Sequence, residues 1–292
     1  MQHGAPDSDD FSFTAAAKRQ TSWRTTILRT VSVGLGGYLF IVLVMMFYEE
    51  HLIFFPNRYP VGDWKPDGLK FEDAHFQSAD GTKLHGWYLP HESPRAVMLF
   101  APGNAGNVTN WAEVVKLLRE EQRVSVMIFD YRGYGRSQGR PNEAGILADA
   151  RAARAWLAKR ADVAEKEIVL LGRSLGGSVM VDLASKDGAR GLILESTFTS
   201  IPDVAAVHYP WVPVRLVMRT RLDSLSKISN YHGPLLQSHG DWDEIIPYEM
   251  GRRLFEAANE PKTFVSLRGG GHNDPQPLEF YRALDRFLDE LP

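Results

Sequence analysis

Hydrophobic and polar positions divide the chain into three stretches. Over residues 1–25 polar and small side chains follow no period, which predicts an N-terminal tail. Val31 to Tyr48 then run for 18 residues without a charge (VSVGLGGYLFIVLVMMFY). With Ile27 and Leu28 added, and Arg29 able to snorkel, residues 27–48 form an apolar stretch of about 22 residues, enough for one helix to span a bilayer. The stretch is apolar all round, unlike an amphipathic core helix. A cleaved signal peptide has a shorter apolar region ending in small residues, whereas this one ends in Met46, Phe47, Tyr48, Glu49 and Glu50. The pattern therefore predicts a transmembrane anchor over 27–48. Residues 49–66 (EEHLIFFPNRYPVGDWKP) are aromatic and proline-rich, as a juxtamembrane connector is.

From residue 67 to 292 the period changes. Short, β-branched apolar runs occur at 84–89, 96–101, 124–130, 168–172, 192–195, 234–238 and 263–267. Helical patterns lie between or after them at 108–119, 143–160, 175–186, 248–258 and 278–290. Strands alternating with helices predict parallel strands joined by crossover helices, an α/β class domain. The stretch contains no internal repeat and fits one such domain.

Charge fixes an expected orientation. Residues 16–30 carry Lys18, Arg19, Arg24 and Arg29 and no acid; residues 49–63 carry Arg58 beside Glu49, Glu50 and Asp63. The positive-inside rule then predicts a single-pass protein with a cytoplasmic N-terminus and an extracytoplasmic domain. Over the whole chain 33 Lys+Arg face 36 Asp+Glu, which is not the footprint of a nucleic-acid binder. The 292 residues include no cysteine, which excludes a thiol nucleophile, disulfides and Cys-type zinc sites. The nine histidines show no metal-ligating spacing, and no cofactor or metal is implied.

Any covalent acyl chemistry must therefore run through a hydroxyl. The sequence G-x-S-x-G, which marks a strand–turn–helix elbow presenting a nucleophilic serine, occurs twice: Gly135–Gly139 around Ser137, and Gly172–Gly176 around Ser174. Ser174 has the required context, a buried-strand run (EIVLL) before it and a helical, small-residue stretch (LGGSVMVDLASK) after it. Ser137 is followed by Gln138, Gly139, Arg140 and Pro141, where no helix starts, so it reads as a loop serine. A serine needs a base, and the base an orienting acid. His272 follows the run TFVSL and three glycines, which makes it the candidate base; His239, with Gly240, reads as closing a tight turn. Asp241, Asp243 and Glu244 share the loop after 234–238, and spacing does not separate them as the acid. An oxyanion hole needs two backbone N–H donors. Leu175, directly after Ser174, supplies one. Asn104 in the small-residue turn Ala101–Asn107 is the natural second, with Asn107 placed to cap the next helix.

The segments GRSLGG, PGNAGN, FDYRGYGRSQG, ILESTFTSIPD, HGDWDEIIP and GGGHND, in that order, resemble the membrane-anchored α/β-hydrolase-domain proteins that include protein depalmitoylases. The resemblance runs from about Phe40 to the C-terminus. It implies an α/β-hydrolase fold with a mostly parallel eight-stranded sheet, helices on both faces and a small lid. It also implies that the acid is the aspartate of H-G-x-x-D, which matches Asp243. The family's loop is usually H-G-N-A-G-N, whereas this chain has Pro102 in place of the histidine.

The expected function is hydrolysis of carboxylic ester or thioester bonds of lipid-like acyl substrates through an acyl-enzyme on Ser174, with Asp243 and His272 completing a triad. A peptidase of the same fold is the alternative enzyme, and a catalytically silent, membrane-tethered binding module is the alternative of another class. A dehalogenase of this fold would need an aspartate nucleophile. Residues 196–233 leave room for one crossover helix of about 15 residues and a small lid, rich in Val207, Tyr209, Trp211, Val212, Val214, Leu216 and Met218. These side chains fit either an acyl chain or a covered core.

Overall fold

The computed structural model describes Met1 and residues 13–292, with side chains described for Met1 and from Trp23 onward. Residues 2–12 of the predicted tail lie outside the described residues. The chain divides into two compact units, Met1–Tyr48 and Glu49–Pro292.

The first unit is one helix, α1 (Phe13–Phe47). It starts well before residue 27, so residues 13–25, expected as tail, are helical. The run Ala15-Ala16-Ala17-Lys18-Arg19-Gln20 accounts for this, because these residues have the best helix propensities. Within α1, Trp23–Phe47 (25 residues, mean hydropathy 2.1) is long and apolar enough to cross a membrane. Val33, Leu35, Phe40, Leu43 and Phe47 are each more than half exposed, so this is not the buried helix of a soluble core.

The second unit opens with a short helix, α2 (Glu49–Ile53), and a two-residue strand, Phe55–Pro56. Eight strands form the main sheet: β1 (Glu72–Gln77), β2 (Lys83–Leu89), β3 (Ala96–Ala101), β4 (Val124–Asp130), β5 (Ile168–Arg173), β6 (Gly191–Glu195), β7 (Leu235–Gly240) and β8 (Lys262–Leu267). Their spatial order is β8-β7-β6-β5-β3-β4-β2-β1. β2 pairs antiparallel with β1 and with β4, and every other pairing is parallel. This is the α/β-hydrolase arrangement that the resemblance implied. The interior strands are buried on both faces, which is why their sequences read as continuous apolar runs. β1 (EDAHFQ) left no such run, because it lies at the sheet edge and alternates exposed and buried positions.

The faces are covered by α3 (Ala112–Glu120), α4 (Glu143–Ala161), α5 (Leu175–Asp187), α8 (Tyr248–Ala257) and α9 (Leu278–Asp289). On one face Ile146, Ala153 and Leu157 of α4 and Val179 and Leu183 of α5 pack with Leu170 and Leu192. On the other, Val115 and Leu118 of α3 and Phe280, Leu284 and Phe287 of α9 pack with Val169, Leu171 and Ile193. The helix expected over 108–119 begins as a 3-10 turn, Val108–Trp111, because Asn107 caps it: its side chain accepts from Thr109 N–H while Asn110 accepts from Asn107 N–H. Between β6 and β7 the chain forms two short helices, α6 (Ile201–His208) and α7 (Val214–Val217), in place of the single longer crossover helix expected. Ser200 caps α6, and Pro213 stands directly before α7.

A buried ion pair braces the turn after β4. Arg132 donates from its side chain and its backbone N–H to Asp149 on α4, with Nη2 to Oδ1 at 2.8 Å. Asp149 is fully buried. Replacing Asp149 with Ala leaves the guanidinium only Asp80 and Ser78 at its outer edge and is expected to cost about 1–3 kcal/mol, read by chemical denaturation.

Candidate active site

The site forms where β5 meets α5. Ser174 occupies the tip with φ 52° and ψ −117°, in the region that L residues rarely enter. Such a conformation costs of order 1–3 kcal/mol and persists only where its surroundings impose it. Here Ser174 N–H donates to the Glu195 carbonyl at 2.8 Å and Thr197 Oγ1 donates to the Ser174 carbonyl at 2.8 Å. The flanking glycines are a steric need. A Cβ on Gly172 would lie 2.4 Å from the Gly176 carbonyl oxygen, and one on Gly176 would lie 2.0 Å from the Ala101 carbonyl oxygen. The second clash shows that the elbow packs against the turn after β3 as well as on itself.

Loops after β7 and β8 supply the partners. His272 Nε2 lies 3.1 Å from Ser174 Oγ, and His272 Nδ1 lies 2.7 Å from Asp243 Oδ2. With an ionised acceptor on the Nδ1 side, the proton sits on Nδ1 and leaves Nε2 to accept from the serine. Asp243 Oδ1 in turn accepts from the N–H groups of Ile245 (2.9 Å) and Ile246 (2.7 Å). Burial pushes the Asp243 pKa up, but hydrogen bonds from His239, His272 and Ile246 outweigh it and hold the carboxyl well below the usual range. The carboxylate is therefore charged at neutral pH.

Among the three acids that spacing left open, the structure brings only Asp243 to His272. Asp241 Oδ1 instead accepts from Gly269 N–H at 2.6 Å, tying the two loops together. Ser137 lies elsewhere. It is buried, donates to the Asp130 carbonyl at 2.7 Å and accepts from His85 N–H at 2.9 Å, which uses its hydroxyl in the loop.

Leu175 is the first residue of α5, and the first N–H groups of a helix have no intrahelical acceptor. The turn after β3 approaches from the other side, with a Gly103 Cβ position 3.7 Å from Ser174 Cβ. The Asn104 side chain is engaged at both ends. Tyr134 OH donates to its Oδ1 at 2.9 Å, and its Nδ2 donates to the Ile53 carbonyl.

Comparison with known proteins bears on the fold that carries this geometry. The α/β hydrolase fold family matches residues 96–217. The alpha/beta hydrolase domain-containing protein WAV2 of Arabidopsis thaliana is 33% identical over 276 residues, covering 85% of this chain and 89% of WAV2. The chain belongs to the α/β-hydrolase family. An uncharacterised protein of Mycobacterium tuberculosis is 40% identical over 255 residues, covering 86% of this chain and 90% of that one. An esterase of Pyrococcus furiosus superposes with a TM-score of 0.67 at 20% identity, covering 82% of this chain and 98% of the esterase, a likeness of fold.

In this α/β hydrolase several residues that sequence reasoning passed over support the site. His239 does not close a turn. It is fully buried at the end of β7, with Nε2 2.9 Å from the Ile246 carbonyl and 3.2 Å from Asp243 Oδ2, beneath the acid loop. Arg173, the unspecified position of the elbow motif, crosses to the histidine loop. Its Nη2 donates to the carbonyls of His272 (2.9 Å) and Asp274 (3.2 Å), its Nη1 lies 3.6 Å from Glu195, and its guanidinium sits over the Trp111 ring. Burial raises the Glu195 pKa, and Arg173 opposes the rise. The only hint in sequence was an arginine inside an otherwise small, apolar segment.

Replacing Arg173 with Met frees the 272–274 segment and strands Glu195. Labelling of Ser174 by a fluorophosphonate should slow about tenfold or more, and the fold should lose about 3–5 kcal/mol. Adding Glu195→Gln should restore stability and not labelling, which melting and labelling on one preparation will check.

Proposed function

We propose that this α/β hydrolase is a membrane-anchored serine hydrolase that cleaves carboxylic ester or thioester bonds of lipid-like acyl substrates. The observation that carries the reading is the continuous chain of hydrogen bonds from Ser174 through His272 to Asp243, set on a strained elbow. The esterase fold of the Pyrococcus furiosus protein supports the acyl chemistry. The apolar span Trp23–Phe47 supports the anchor, and the basic excess before it supports a cytoplasmic N-terminus with the catalytic domain outside.

In this mechanism Ser174 Oγ attacks the acyl carbonyl while His272 Nε2 takes its proton. Asp243 holds the Nδ1–H tautomer and stabilises the imidazolium that forms. The tetrahedral oxyanion is received by the N–H groups of Leu175 and Asn104, the first aided by the positive end of the α5 dipole. Collapse breaks the acyl–oxygen or acyl–sulfur bond, and His272 returns the proton to the leaving group. Water, deprotonated by His272, then hydrolyses the acyl-enzyme.

An acyl chain has apolar surface to meet. Val207, Tyr209, Trp211 and Leu216 in the β6–β7 crossover are each more than 40% exposed, as is Trp242 beside the acid. His208 Nε2, 2.9 Å from the Ile245 carbonyl, ties this cover to the acid loop. Val212 and Val214 are buried, so the crossover both closes the core and presents an apolar outer face.

Replacing Ser174 with Ala is expected to abolish fluorophosphonate labelling, and Ser137→Ala to leave it in place; undiminished labelling of the Ser174 variant would sink the assignment. With p-nitrophenyl acyl esters, kcat/KM should rise from acetate to medium chains by about tenfold or more. A maximum at acetate would argue against a lipid-like acyl group.

A further inference from the structure

The segment just after the apolar helix reads in sequence as a connector, yet it is built into the site. Ile53 offers its carbonyl to Asn104 Nδ2. Phe55 and Pro56 pair as a short parallel strand with Ala105 and Gly106, inside the same turn, and Asn57 N–H continues the ladder to the Gly106 carbonyl. Tyr134 OH, which donates to Asn104 Oδ1, also takes a hydrogen bond from the Phe55 backbone. Asn107 Nδ2 closes the arrangement on the carbonyls of Asn57 (3.1 Å) and Val61 (2.9 Å). The turn carrying the Asn104 N–H is thus held from outside the sheet by residues 53–57.

The same segment grips the crossover. Glu49 is 5% exposed, and its carboxylate accepts from Thr220 N–H at 2.6 Å and from Arg219 N–H at 3.1 Å. Arg219 and Thr220 follow α7 and its exposed Leu216 after one intervening residue, Met218. A buried carboxylate satisfied by backbone N–H groups is a strong, directional tie. One short stretch therefore binds two parts of the site, the oxyanion turn and the apolar cover.

We propose that residues 49–57 are a positioning element of the acyl site. They set the oxyanion turn through Ile53, Phe55 and Tyr134, and the crossover through Glu49. The proposal rests on the serine-hydrolase reading above and adds that the chain leaving the apolar helix completes the catalytic domain. It enters no bond-making step. Its effect is the placement of one N–H donor and of the acyl-binding cover.

The test uses the full chain in detergent and p-nitrophenyl esters of short and medium chain length. Tyr134→Phe removes the hydroxyl that joins the segment to Asn104. It should lower kcat about tenfold at every chain length with KM within about twofold, because an oxyanion donor acts in the transition state. Glu49→Ala should raise KM for the longer ester about fivefold and leave kcat for acetate within about twofold. Tyr231→Phe is the control. Tyr231 is equally buried and its hydroxyl donates to the carbonyls of Ala189 and Pro234, away from the site, so its kinetics should match wild type. Unchanged kcat in Tyr134→Phe, unchanged KM in Glu49→Ala, or an equal loss in Tyr231→Phe overturns the proposal. Absence of Ser174-dependent turnover in the unmodified chain is a different result, and it overturns the hydrolase reading together with this one.

Discussion

The site depends on one constraint, the left-handed backbone at Ser174. A serine at φ 52° persists because the carbonyl of Glu195 and the hydroxyl of Thr197 hold its backbone while Gly176 lets the elbow close on the carbonyl of Ala101. Those groups come from the ends of β6, from just beyond it and from the end of β3. They are adjacent because the strand order places β5 between β3 and β6. β7 and β8 lie further out on the same side, and their loops bring in Asp243 and His272. The strain at the elbow and the parallel order of the sheet are thus two aspects of one arrangement, and moving β5 would remove both.

Charge is handled by saturation rather than by exposure. Asp243 is buried, which alone would favour its neutral form, but both of its oxygens are filled by donors. His239 adds a further donor from beneath. Arg173 and Glu195 place a second pair of opposite charges under the histidine loop, with the arginine spending two of its N–H donors on backbone carbonyls. A guanidinium suits this role because its planar fork reaches several acceptors at once. The imidazole between these groups is oriented from its ring by Asp243 and from its backbone by Arg173.

What was legible in the sequence is what is local. The run before Ser174 and the helix after it are contiguous, so the elbow could be told from the Ser137 copy without knowing the fold. The interior strands announced themselves because burial on both faces leaves nothing polar in them. β1 gave no such signal, being an edge strand that alternates. The extra turns of α1 were hidden by a polar composition that is nevertheless helix-forming. The choice among Asp241, Asp243 and Glu244 needed the resemblance, since neighbours in one loop differ only in where the turn aims them. Arg173 and Glu49 gave no signal for a common reason: each acts across a gap no spacing rule spans, 99 residues from Arg173 to His272 and 171 from Glu49 to Thr220. His239 reads as a turn residue because the loop it supports, seven residues on at Ile246, folds back over it.

At Pro102 the chain departs from the H-G-N-A-G-N pattern, and the structure uses the carbonyl of this position, which accepts from Tyr131 OH at 2.9 Å. A proline supplies a carbonyl as well as any residue does, and lacks only an N–H. Tyr131 is fully buried, and its desolvation keeps the phenol protonated and able to donate. Two residues further on, Asn104 is braced through its side chain by Tyr134 and Ile53. The turn is thus braced by the Tyr131–Tyr134 turn and by the segment that follows the apolar helix. A proline at 104 would be a different matter under the proposed mechanism, since it would remove the N–H assigned there to the oxyanion.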